Sequence, residues 1–150
     1  MTTYYDILDT LKEILIADEF CNTVTQGAID DIDLAKKTIF PLSHIQINQT
    51  TYEGSILRYN VTVFVMDIVD KTPSEVTDVF KGNDNETDVL NTQLAVGVRM
   101  LEQLRRGTYF DYTPLDGNPI LEPFTERFEN YMAGWAITFD MVFQNDMTIC

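Results

Sequence analysis

The stretch SILRYNVTVFVMDIV (residues 55–69) decides the fold, because it reads as one uninterrupted β-strand without a glycine, a proline or a turn signal. At about 3.4 Å per residue it would span roughly 45 to 50 Å, whereas a typical strand holds about 5 or 6 residues. The surplus length predicts a sheet that extends beyond its own core, toward a neighbouring subunit.

The two sides of this strand differ in character, because successive side chains point to opposite faces. One side is apolar throughout: Leu57, Tyr59, Val61, Val63 and Val65. The other side begins with Arg58, Asn60 and Thr62 and continues with Phe64, Met66 and Ile68. With a preceding strand over Leu42–Thr51 and a turn over Tyr52–Ser55, this pattern predicts a long hairpin whose end near the turn leaves the core.

Helical patterns flank the hairpin on both sides. Thr3 and Asp6 form a capping box, and apolar residues then recur at helical spacing, which predicts a first helix from about Tyr4 to Ala17. A second helix is expected to follow a cap at Asp84 or Asn85 and to close at Arg105, Arg106 and Gly107. Its apolar stripe is predicted as Leu90, Leu94, Leu101 and Leu104, and Val89, Val96 and Met100 widen the apolar surface, so that contacts with the sheet and with a second surface are expected.

The remaining segments complete the predicted fold. Thr23–Leu34 and Asp70–Asn85 read as a connection and a long loop, and Pro114–Pro119 as a turn between a short strand at Thr108–Asp111 and extended structure at Ile120–Thr125. The final strand alternates cleanly through its apolar members Trp135, Ile137, Phe139, Met141 and Phe143. We therefore predict a single α+β domain over residues 1–150, in which an antiparallel β-sheet with a long β-hairpin packs against two α-helices.

Composition restricts the classes of function. The chain has 150 residues, with 10 Lys and Arg against 24 Asp and Glu, and a formal net charge of −14. This charge would repel a nucleic-acid backbone and an anionic membrane surface alike. A membrane span needs about 20 apolar residues and no such run exists, and the N-terminus lacks the pattern of a secretory signal. We expect a soluble protein that stays where it is made.

No constellation of residues identifies a reaction. His44 is the only histidine and has no nearby partner in sequence for a catalytic relay, so a structural or surface role is expected. Asp84, Glu86 and Asp88 alternate as in a calcium loop, but the glycine and the bidentate glutamate of such a loop are missing. First-turn helix acids explain these three better. The two cysteines fit neither a disulfide framework nor a zinc site, so no catalytic residue, metal or cofactor is predicted.

Three segments carry a family resemblance: PLSHIQI (41–47), VMDIVD (65–70) and FENYMAGW (128–135). With the order of elements (amphipathic helix, long hairpin, long loop, central helix, amphipathic strand), they resemble the small neck and tail-completion proteins of tailed bacteriophages, including tail-terminator-like proteins. The resemblance covers most of the chain. It consists of side-chain patterns within the three segments and of the order of the helices and strands.

The resemblance implies a non-enzymatic virion protein of the neck or tail, assembled in the host cytoplasm. It implies a homo-oligomeric ring, a hexamer or a dodecamer, that contacts neighbouring neck, portal or tail proteins, lets genomic DNA pass through its lumen and touches no membrane. The candidate interface residues lie at the hairpin tip, in the long loop, in the predicted turn and in the C-terminal tail: Tyr52, Glu53, Gly54, Ser55 and Ile56; Lys71, Thr72, Pro73 and Phe80; Asp116, Gly117 and Asn118; Met147 and Ile149.

Two alternatives stay open at this stage. The chain could be a monomeric or dimeric binding module that recruits a protein partner through edge pairing of its hairpin. It could also be an enzyme of unrecognised type, which would require a concave pocket with convergent polar groups around His44 or a carboxylate pair.

Overall fold

A computed structural model describes residues 4–28, 37–70, 79–80, 85–110, 112–127 and 131–145. These residues form two α-helices, a short 3-10 helix at Lys37–Ile39 and five strands. In chain order the helices and strands are α1 (Tyr4–Ile16), β1 (Thr23–Gln26), β2 (Leu42–Tyr52), β3 (Ile56–Ile68), α2 (Glu86–Arg106), β4 (Leu115–Arg127) and β5 (Tyr131–Gln144).

The strands form one open sheet in the order β1-β2-β3-β5-β4. Three of its pairs are antiparallel, and the predicted α+β class with a long hairpin and two helices is confirmed. The sheet is mixed rather than wholly antiparallel, because β1 runs parallel to β2, with Thr23 opposite Leu42 and Gln26 opposite Ile45. The sequence predicted an extended or irregular connection here, without a strand partner. The four residues of β1 are too few to show an alternating pattern.

Strand β3 is the central strand of the sheet, and it pairs along its whole length with strands of the same chain. All of it pairs with β5, from Ile56 opposite Gln144 to Ile68 opposite Met132, and most of it also pairs with β2. Strand β3 therefore has partners along its whole length within the chain, and the expected extension of the sheet toward a neighbouring subunit stays a prediction. The other three long strands match its length, which sequence periodicity could not show because it does not report pairing.

Both helices pack on one face of the sheet, which we call the helix face. Its members on β3 and β5 are Tyr59, Val61, Val63, Val65, Ile137, Phe139, Met141 and Phe143, all buried. Helix α1 contributes Ile7, Leu11, Ile14 and Leu15 from its predicted apolar stripe, while Tyr4 of that stripe is exposed. Burying an aliphatic or aromatic side chain of this size contributes about 1.5–3 kcal/mol, so this layer supplies most of the apolar stabilisation.

The buried side of α2 includes the residues that were predicted to widen its apolar surface, and of the predicted leucine stripe only Leu104 is fully buried. This side consists of Val89, Gln93, Val96, Gly97, Met100 and Leu104, while Leu90, Leu94 and Leu101 are half-buried. Gly97 explains why this side of α2 packs on the sheet, because a Cβ placed there would collide with Cδ1 of Ile137. The missing side chain lets the helix approach the sheet closely on that side.

The ends of α2 follow the prediction in part. Gly107 ends the helix in the left-handed conformation at φ 71°, as predicted. Asn85 occupies the N-cap position, but its Oδ1 accepts a hydrogen bond from the N–H of Asp70 at 2.7 Å instead of capping the helix. The side chain thus joins the helix start to the end of β3.

Two predictions after α2 are wrong. Residues 107–110 form turns where a short strand was expected, and the region predicted as a turn belongs to β4, which begins at Leu115. The turn residues instead make an irregularity within that strand: the pairing with β5 shifts register between Asp116 and Ile120, and Gly117 has φ 72°. The extended structure predicted over Ile120–Thr125 and the final strand are confirmed.

The opposite surface of the sheet, which we call the second face, is divided along the strands. At one end Phe40, Leu42, Met66 and Met132 form a small buried apolar cluster with Phe64 and Phe124 packed against it. Toward the hairpin turn the same face carries polar side chains from β2, β3 and β5. The predicted change of character along β3 is therefore present.

Candidate interaction surfaces

The hairpin end, Tyr52–Ile56, is held in place by the end of β5. The N–H of Glu53 donates to the carbonyl of Ile56 at 3.1 Å, and Gly54 adopts φ 77°. Asn145 donates from its backbone to Ser55 O at 2.8 Å and from Nδ2 to Gly54 O at 2.9 Å. The turn is thus fixed from two sides, and Tyr52 projects from it with 73% of its surface exposed.

Two of the predicted interface segments meet at this end of the sheet. Arg58 forms an ion pair with Asp116, and its guanidinium also lies 3.6 Å from Glu53 and 4.0 Å from Asp140. The hairpin tip and the Asp116–Asn118 segment are therefore neighbours. One arginine faces three carboxylates, so this end keeps a surplus of negative charge.

Polar side chains beside this cluster are hydrogen-bonded to one another across the second face. Nδ2 of Asn48 lies 2.8 Å from Oδ1 of Asn60 and 2.7 Å from Oγ1 of Thr62, and Nδ2 of Asn60 donates to Asp140 at 2.8 Å. Asn48 sits at a bulge in β2, where the register shifts between Ile47 and Gln49. The polar half of the second face is thus a network within the chain.

The other predicted interface residues are separate from this end or lie outside the described part of the chain. Phe80 is 94% exposed and Val79 beside it is 92% exposed. Lys71, Thr72, Pro73, Met147 and Ile149 lie outside the described residues.

His44 has the structural role expected of it. The side chain is fully buried, its Nε2 lies 2.8 Å from the carbonyl of Gly27, and its Nδ1 lies 2.8 Å from Oγ1 of Thr25. Because a carbonyl only accepts, Nε2 carries the proton, and Nδ1 accepts from the threonine hydroxyl in the neutral ring. Burial lowers the pKa of His44, against an opposing effect of the Gly27 hydrogen bond. The ring joins β1 to β2.

A cleft between α1 and α2 was not anticipated from the sequence. It has a volume of about 400 Å³, with an apolar floor of Ile14, Leu15, Val96 and Met100. Its rim is polar and includes Asp18, Glu19, Arg99, Gln103 and Tyr109. No local signal marks such a site, because its two walls are some eighty residues apart in sequence and meet only through helix packing.

An ion pair on the rim of the cleft joins the two helices. Nε and Nη2 of Arg99 donate to the two carboxylate oxygens of Asp18 at 2.7 and 3.0 Å, and the guanidinium lies 5.7 Å from the ring centre of Phe20. Burial raises the pKa of Asp18, but hydrogen bonds from Arg99 and from the N–H of Phe20 outweigh it, so the pKa is lowered overall. The carboxylate stays ionised and holds the rim together.

No family model matches the chain, and no curated protein matches it. In the part of the chain that the structure describes, no helix is both long and apolar enough to cross a membrane, and no three or more His, Cys, Asp or Glu side chains cluster as metal ligands would.

Proposed function

We propose that this chain is a non-enzymatic structural protein of a tailed bacteriophage. Its copies form a ring in the neck or tail that joins head to tail, contacts the portal or tail proteins on either side, and lets DNA pass through the lumen. The family resemblance of the hairpin and the closing strand motivates this proposal.

The electrostatics of the surface are the observation that supports the proposal most. Each arginine whose side chain the structure describes lies within 4.0 Å of a carboxylate: Arg58, Arg99, Arg105 and Arg106. The carboxylates outnumber them, in a chain of net charge −14. A bore lined by such a surface repels the DNA backbone and offers it no unpaired guanidinium among these residues.

Exposed aromatic side chains also suit a protein that assembles. Tyr5 is 76% exposed, Tyr52 73% and Phe80 94%, and they lie on different elements of the chain. Aromatic residues are enriched at protein interfaces because they bury a large area with few rotatable bonds. Several separate surfaces are needed by a ring subunit, which contacts two copies of itself and the rings above and below.

The mass of the purified protein tests the proposal. Light scattering from about 10 to 500 μM, with negative-stain imaging of any large species, should show a closed ring of about six or twelve copies. The ring should not retain duplex DNA on a filter at about 50 mM salt, because its phosphate contacts would be too few. A monomer at every concentration, or tight DNA retention, would overturn the proposal.

A binding module remains a second candidate, and the outer edge of β2 favours it. β1 covers only Leu42–Ile45, so the described residues leave Gln46–Tyr52 with a strand on one side only. This stretch contains neither a proline nor a charge, features that protect other sheet edges from pairing. A small oligomer that captures one partner strand here, without cyclic symmetry, would favour this reading over the ring.

A further inference from the structure

We infer that Tyr52 of one copy inserts into the cleft between α1 and α2 of the next copy. This contact rests on the proposed function, because it specifies how adjacent subunits of the ring meet. None of the predicted interface residues lines the cleft. The contact gives the cleft a function and names its occupant, which is the tyrosine side chain of a second copy of this chain.

The chemistry of the cleft matches a tyrosine. The floor offers aliphatic and thioether groups from Ile14, Val96 and Met100 for the face of a ring, and the rim offers Arg99 and Gln103 as hydrogen-bond partners for a hydroxyl. A buried tyrosine needs such an arrangement, apolar along the ring and polar at the tip. A volume of about 400 Å³ is at the lower end of ligand cavities, which suits a side chain more than a large ligand.

Tyr52 is presented in the way such an insertion requires. It is the last residue of β2, and the turn that follows is fixed by the hydrogen bonds from Asn145. The exposed ring therefore has little backbone freedom to lose on docking, which lowers the entropic cost of the contact. Phe80 is more exposed but has no polar tip to meet the rim.

Charge opposes the approach of these two surfaces less than it opposes the approach of two acidic surfaces. The hairpin end has one arginine, Arg58, against three carboxylates. The end of α2 beside the cleft has Arg105 and Arg106 against the single carboxylate of Glu102, and both are 64% exposed. With Asp18, Glu19 and Arg99 on the rim of the cleft, the charges of this end balance. The negative hairpin end thus meets a neutral patch with two exposed guanidinium groups, in a chain whose copies otherwise repel one another.

The tyrosine and the cleft are different patches of the same chain, so the contact is head-to-tail. Each copy uses its tyrosine on one neighbour and its cleft on the other, and such contacts propagate until the rotation closes a ring. A two-fold dimer would instead bring the same patch of both copies together.

Two substitutions test the contact from its two sides. Tyr52→Ala removes the inserted ring, and Ala17→Trp fills the mouth of the cleft from an exposed position. Each variant should lose the ring and sediment as a monomer at concentrations where the wild type is assembled. The matched controls are Tyr4→Ala, another exposed tyrosine, and Glu13→Trp, which is exposed on α1 outside the cleft. Both controls should assemble as the wild type does, and circular dichroism checks that all four fold.

Mixing the two defective variants gives a result that only a head-to-tail contact produces. The Ala17→Trp copy still has its tyrosine and the Tyr52→Ala copy still has its cleft, so the mixture at about 300 μM should contain a pair of one copy of each, while either variant alone stays monomeric. Absence of that pair overturns the contact.

The remaining outcomes separate this contact from the ring itself. A ring that both variants still form overturns the contact and leaves the proposed function standing. An open chain or a small oligomer that depends on both residues keeps the contact and overturns the ring. A wild type that is monomeric throughout overturns both.

Discussion

The two faces of the central strands β3 and β5 are stabilised in different ways. The helix face buries a continuous apolar layer under α1 and α2, with Val63 and Ile137 fully buried at its centre. The second face has a small apolar cluster at one end and, toward the hairpin turn, a network of Asn48, Asn60 and Asp140. The difference shows that a long sheet can leave half of one face polar when its side chains bond to one another.

The largest effect is expected at the contact between β3 and β5. A Cβ on Gly134 would collide with the carbonyl oxygen of Val65 and would lie 2.8 Å from Cα of Met66. Because both atoms are backbone and cannot move aside, Gly134→Ala should lower the free energy of unfolding by about 3 kcal/mol or more. Gly97→Ala is the matched control: its Cβ meets only the flexible end of Ile137, so it should cost about 1–2 kcal/mol. Equal losses in urea unfolding would contradict this account.

Substitutions at two neighbouring residues of β5 compare how much the two faces contribute to stability. Ile137→Ala leaves a cavity in the fully buried helix face and should cost about 2–4 kcal/mol. Thr138→Ala, one residue along, removes only a side chain that lies 3.3 Å from the hydroxyl of Thr62, and should cost about 0.5–1 kcal/mol. Chemical unfolding of both variants measures the difference, and a Thr138 variant as unstable as the Ile137 variant would show that the second face is a core of equal weight.

His44, which lies on the second face, makes the free energy of unfolding depend on pH. Its pKa is lowered in the folded protein by burial, so below the ordinary value of about 6.5 the unfolded chain binds a proton that the folded chain does not. Stability from this group is therefore complete above pH 6.5 and falls as the pH drops, by up to about 1.4 kcal/mol per pH unit. Urea unfolding at pH 7, 6 and 5 should show this slope, and His44→Gln should flatten it. An identical slope in the variant would assign the effect to other groups.

The smallest effect is expected at the exposed end of the polar network. Arg58 is partly exposed and its partners Glu53 and Asp116 more so, and ion pairs of this kind contribute about 0–1 kcal/mol. Arg58→Ala should therefore change stability by less than about 1 kcal/mol, and the loss should vanish at about 1 M salt. A larger loss of stability in thermal unfolding that does not depend on salt would show that Arg58 stabilises the fold by more than a surface ion pair.

The sequence predicted the parts of the fold that depend on one element at a time. The alternation of β5 and the apolar stripe of α1 marked their buried faces correctly, because each is set by the period of its own backbone. The errors concern pairs of elements. The parallel partner of β2, the close approach of Gly97 to Ile137, and the register of β4 past Gly117 all depend on residues far apart in the chain.

The same limit applies to the candidate site. Tyr52 and Glu53 could be proposed from the hairpin pattern, and their turn is where it was predicted. The cleft could not, since its floor combines Leu15 of α1 with Met100 of α2, and each position alone reads as ordinary core. An apolar residue in a helical stripe looks the same in sequence whether its outer side meets another side chain or an open groove.

One hydrogen bond gives the protein an intrinsic optical reporter. The indole Nε1 of Trp135, the only tryptophan of the chain, donates to the carbonyl of Leu90 at 2.8 Å and so links the sheet to α2. Indole fluorescence shifts to longer wavelength when the ring becomes hydrated, so the emission of the unlabelled protein follows the seating of α2 on the sheet. A stopped-flow trace of that emission would separate movement of this helix from the association of copies that we propose.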